Sequence, residues 1–161
     1  MDNRLAATVA GAAATVPMTA VMVALHKILP GEPDSPLPPR EITEHAAEAV
    51  GAEEAMDELG EGGRQATTLA AHFSYGAAAG VAYLPFSGKS GMPPALEGAA
   101  FGMGVWGASY LGLMPATGLY RSATKEATAR NVLMIAAHVV WGAALGQLYH
   151  ELSKRFADQS S

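Results

Sequence analysis

The chain has 161 residues, half of them apolar and 16% charged, with a net charge of −5 and no cysteine. That length gives one domain with one core. The missing cysteine excludes disulfides and thiolate metal sites, and the acidic balance lacks the basic face a nucleic-acid partner needs.

The charges are gathered into part of the chain. Leu5–His26, Gln65–Gly88, Gly98–Tyr120 and Asn131–His150 are runs of 22, 24, 23 and 20 residues without Asp, Glu, Lys or Arg. A wet amphipathic helix carries a charge every turn or two. A helix of about 20 residues spans a hydrocarbon core of about 30 Å, where each charge costs roughly 2.5–3.5 kcal/mol or more. The runs therefore predict four transmembrane helices, over residues 5–26, 65–88, 98–120 and 131–150, in one membrane domain covering 1–161. The mean hydropathy of +0.15 is modest because Glu32–Glu61 holds ten acidic residues and the spans are rich in Ala and Gly.

In chain order, the first run is longer than the usual signal-peptide core, so it is read as a retained span. Pro17 near its middle predicts a kink, with Gly104 at the matching place in the third run. The loop over 30–64 opens with the extended, proline-rich GEPDSPLPP. Pro39 suits the first turn of a helix, which Gly51 ends. A second short helix is expected over Ala52–Leu59, with GEGG at Gly60–Gly63 as a hinge. Both short helices are expected to lie at the membrane interface.

The second run contains LAAHFSYGAAAGVAY (Leu69–Tyr83), and the fourth contains IAAHVVWGAALGQLY (Ile135–Tyr149). Eight of the fifteen positions are identical, including His72/His138, Gly76/Gly142, Gly80/Gly146 and Tyr83/Tyr149. Tyr75 aligns with Trp141. More faintly, Gly11–Ala13 parallels Gly98–Ala100. The expected fold is all-α: an integral membrane four-helix bundle made of two helical hairpins. Each hairpin returns to its starting side, so the copies are parallel about an axis along the membrane normal.

Spacing of four puts His72, Gly76 and Gly80 on one helix face, and His138, Gly142 and Gly146 on another. With Gly98-xxx-Gly102 there are three GxxxG patterns, which favour close helix packing. This places the second and fourth spans at the centre, joined through Gly76, Gly80, Gly142 and Gly146. Lys and Arg counts beside the spans place the long loop on the cytoplasmic side.

PPREITEHAAEAVG, LAAHFSYGAAAG and NVLMIAAHVVWGAALG together resemble a group of small bacterial inner-membrane proteins of unknown function, the YagU-like proteins and their relatives. The resemblance runs from the first span to the fourth. It implies a multi-pass protein of the bacterial inner membrane and carries no reaction with it.

No Gly-x-Ser-x-Gly, phosphate loop or His-Glu-x-x-His occurs, and no acid stands inside a run to pair with a histidine. The chain is therefore expected not to be an enzyme, with no catalytic residue, metal or cofactor. The expected role is that of a structural or accessory component in the lipid bilayer, as a homo-oligomer or within a larger membrane complex. His72 and His138 are the candidate polar site. Three roles compete for them: hydrogen-bonding glue between helices, two ligands to a haem or metal, and part of a proton or solute path along the repeat axis.

Overall fold

The computed structural model describes residues 3–29 and 36–158. The described residues are all-helical, and two helices, Asn3–Ile28 and Thr128–Phe156, are long and apolar enough to cross a membrane. The extended reading of residues 31–35 lies outside the described residues.

Helix α1 (Asn3–Ile28) runs unbroken through Pro17. Helix α2 (Pro38–Ala49) starts on two prolines, whose missing amides are spare in a first turn. It ends at Gly51, whose φ of 71° suits a residue without Cβ. Helix α3 (Glu53–Glu58) follows. The expected four-residue hinge contracts to Gly60, at φ 63°, and Glu61–Gly63 already belong to α4 (Gly60–Tyr83). Helix α5 (Pro94–Gly107) again opens on proline. It widens into a π-helical turn over Ala108–Leu113 and closes with α6 (Met114–Thr117). The irregularity of the third run therefore falls four residues beyond Gly104. A 3-10 turn (Ala123–Lys125) leads into α7 (Thr128–Asp158).

The long helices pack in the order α4, α1, α7, α5. This corrects the expected centre. The pair α1 and α7 holds the middle, and the glycines of α4 and α7 do not meet each other. Those of α4 meet α1: a Cβ on Gly80 would strike the Ala7 carbonyl and stand 2.9 Å from Gly11 Cα. Those of α7 meet α5: a Cβ on Gly142 would strike the Gly98 carbonyl and stand 2.9 Å from Gly102 Cα. Each antiparallel pair, α1 with α4 and α5 with α7, supplies both faces of its own glycine seam, so no glycine face remains for the other pair.

The two seams share one pattern. Gly11 faces Gly76 and Gly80 as Gly98 faces Gly142 and Gly146. The matched tyrosines Tyr83 and Tyr149 meet edge to face, 6.0 Å between centroids. The matched aromatics each reach into the other pair. Trp141 Nε1 donates to the Gly11 carbonyl at 3.2 Å, and the Tyr75 and Ser109 hydroxyls hydrogen-bond at 2.8 Å.

At one end, α2 is tied to the base of α7. Arg130 donates to Glu41 at 2.7 Å, to the Pro36 carbonyl at 2.9 Å and to the Tyr120 hydroxyl at 2.7 Å. His45 Nδ1 donates to the Leu119 carbonyl at 3.0 Å. The connections after α1 and after α6 therefore lie at the same end. Arg121 Nε stands 2.9 Å from Glu126 Oε1, an ion pair without the alignment of a hydrogen bond.

At the other end Glu97 staples the turn after α4. Its carboxylate accepts from the Tyr83 hydroxyl at 2.8 Å, the Gly88 amide at 2.7 Å, the Ser90 amide at 3.1 Å and the Ser90 hydroxyl. Burial pushes this carboxyl up, but the four donors together outweigh it and hold it at about 2. A lowered carboxyl stabilises the fold above its ordinary value near 4.5, and that gain is lost as pH falls through about 2. Glu97→Gln is expected to cost about 1–3 kcal/mol at neutral pH. Thermal unfolding in detergent should show the gap to the parent closing between those two pH values.

Candidate functional site: a cavity holding both repeat histidines

The glycine seams draw the helices together in the half of the molecule that holds Tyr83 and Tyr149. In the other half, larger side chains keep them apart. Met18 and Met22 of α1, His72 and Tyr75 of α4, Tyr110 of the π turn and His138 of α7 surround a cavity of ≈400 Å³. Helix α2 closes one side with its apolar face, through Pro39, Ile42 and Ala46. The π turn contributes Ser109, Tyr110 and Leu113 to the cavity wall.

Both sequence-predicted histidines line this space, so residues 66 positions apart in the chain share one chamber. Among the described residues, neither ring hydrogen-bonds another helix. His138 Nδ1 lies 2.8 Å from the Met134 carbonyl of its own α7, so this nitrogen carries the proton and donates. In the neutral ring that leaves Nε2 as an acceptor. Tyr110 stands edge-on to the imidazole, 5.7 Å between centroids and 88° between planes. His72 Nε2 is buried with no hydrogen-bond partner. Among the described residues no Asp, Glu, Lys or Arg lines the cavity.

A second cavity, ≈620 Å³, adjoins the first through Met22, Pro39 and His72. Its wall mixes apolar side chains with Arg40, Glu44, Arg64, Gln65 and Thr68. Arg40 bridges Glu44 at 2.9 Å and also pairs with Glu61, fastening α2 over α4. Arg64 pairs with Asp57 and stands 3.6 Å from Glu44. Thr68 Oγ1 is buried and, like His72 Nε2 one turn away, has no partner. His72 thus stands in the partition between a charged vestibule and an uncharged chamber.

The six predicted packing glycines, Gly76, Gly80, Gly98, Gly102, Gly142 and Gly146, are not part of the cavity chemistry except Gly76, which lines its floor. Sequence reading missed Ser109, Tyr110 and Thr68. Thr68 was within reach, because it extends the four-residue spacing of His72, Gly76 and Gly80 by one turn. Ser109 follows the four-residue spacing of Val105 and Leu113, and Tyr110 stands beside it, but the sequence held no histidine or glycine there to mark the face. Among the described residues no group of three or more His, Asp or Glu could hold a metal ion. Comparison of the chain with protein families, with curated proteins and with solved structures gave no match.

Proposed function

We propose that this chain is a multi-pass protein of the bacterial inner membrane, built from two parallel repeat hairpins, which binds a small solute between them without chemical conversion. The observation that carries the reading is the arrival of both matched histidines in one uncharged cavity. Interhelical glue would need each ring bonded to a neighbouring helix, and the hydrogen bonds run otherwise. A haem fits worse. A cavity of ≈400 Å³ is near the small end of the roughly 300–1,000 Å³ range of ligand pockets and is too small for a substituted porphyrin.

The outward faces support the bilayer. Leu5, Val9, Val16 and Val23 on α1, Leu111 on the π turn, and Val132 and Val139 on α7 are all exposed large apolar side chains. Lipid would cover what water would not. The resemblance to the YagU-like group points to the same compartment.

The cysteine-free chain makes the test direct. Cysteine at Ser90 and at Ser122 should react with an impermeant maleimide from opposite sides of a sealed vesicle. Cysteine at Ser109 should react with neutral ethyl methanethiosulfonate and resist the bulky maleimide. Labelling of the two loop positions from one side would refute the spanning topology. A Ser109→Cys thiol inert to both reagents would refute the open cavity.

A further inference from the structure

Resting on the solute-binding reading, we infer that the inner cavity takes an uncharged, largely apolar molecule with a single hydrogen-bond-donating hydroxyl, which donates to His138 Nε2. Each part of that description comes from the wall. The lining is almost entirely carbon: the methionines, Ala71, Ala79, Val105 and Leu113 meet the aromatic faces of Trp141 and Tyr110. A charged ligand would lie in this space with no opposite charge to meet it, at a cost no other contact in the chamber offsets. The ligand body is therefore neutral and apolar.

The hydroxyl follows from what the protein leaves unpaired. His138 is 5% exposed. Its Nδ1 proton is spent on the Met134 carbonyl, which fixes Nε2 as an acceptor. Among the described residues no side chain hydrogen-bonds that nitrogen: the Tyr75 and Ser109 hydroxyls share one hydrogen bond with each other, and Trp141 Nε1 is turned away to Gly11. An acceptor without a donor forgoes a hydrogen bond, and a ligand hydroxyl in the chamber supplies it. A purely hydrocarbon ligand supplies none. The vestibule under α2 gives a hydroxyl-bearing molecule a route from water, and His72 in the partition is a second imidazole that its hydroxyl passes.

Three matched probes test the inference in lipid nanodiscs, against empty nanodiscs, by titration calorimetry: 4-butylphenol, butylbenzene and 4-butylbenzoate. The phenol is expected to bind saturably and at least tenfold more tightly than the other two. His138→Phe, which keeps the ring bulk and removes the acceptor, is expected to weaken the phenol at least tenfold and leave butylbenzene unchanged. Equal binding of phenol and butylbenzene would overturn the hydroxyl requirement, and tighter binding of the benzoate would overturn the neutral ligand. Unchanged phenol affinity in a folded His138→Phe protein would overturn His138 as the acceptor. The three-probe comparison needs no variant, so it decides the hydroxyl and charge requirements even if His138→Phe fails to fold. If none of the probes saturates, the ligand class is overturned. The Ser109→Cys labelling described above then separates a wrong ligand class, with the cavity still reactive, from a cavity that does not exist.

Discussion

Gly142→Leu is expected to destabilise the protein by about 3 kcal/mol or more and to part α5 from α7. The space a Cβ would need at Gly142 is filled by the Gly98 carbonyl, with Gly102 Cα and N each at 2.9 Å. These are backbone atoms of a helix that cannot yield without moving as a whole. Gly76→Leu is expected to cost less. There the first obstacle is the Thr15 hydroxyl, a side chain that can turn once it gives up its 3.0 Å bond to the Gly11 carbonyl. Gly104→Leu is the control, since nothing lies within 4 Å of its Cβ position. It should stay within about 0.5 kcal/mol of the parent or gain slightly from helix propensity. Unfolding by SDS titration in mixed micelles ranks the three. An equal loss at Gly142 and Gly104 would mean that glycine flexibility, not close packing, is what the chain requires.

Trp141→Ala is expected to cost about 3–5 kcal/mol. The indole is 2% exposed, packs 6.2 Å from the Phe101 ring and carries the hydrogen bond from α7 to α1. Its removal also enlarges a cavity that already exists, so surrounding side chains have little reason to collapse into the gap. Trp141→Phe separates the two contributions. It keeps most of the ring packing and loses only the bond to Gly11, whose carbonyl still accepts from Thr15 at 3.0 Å. A loss of about 1 kcal/mol is expected there. Thermal unfolding of both variants gives the comparison, and a Phe variant as damaged as the Ala variant would shift the weight from packing to the hydrogen bond.

The elements themselves were legible. Uncharged runs mark the long helices, and Pro39 stands in a first turn, where proline is tolerated. Gly51 stops α2. The Gly-x-x-x-Gly spacing marked the faces of closest approach, because only glycine permits two backbones to touch. The recurrence of His72 as His138 marked the pair that shares a chamber.

Which glycine face meets which is not written in the spacing. Gly76 and Gly142 are equivalent in the sequence, and pairing them with each other was as consistent with it as pairing each with its own hairpin. The choice depends on the shape of every facing residue at once. The π turn at Ala108–Leu113 is likewise a tertiary outcome. No residue type announces it. So the sequence by itself determined helices, caps, small-residue faces and the histidine pair, all set by local backbone chemistry and four-residue periodicity. Only the tertiary structure decided that α1 and α7 form the centre and that the wide half of the molecule leaves a cavity. Those outcomes follow from how bulky Met18, Met22, Tyr110 and the two histidines divide a space that the glycines elsewhere close.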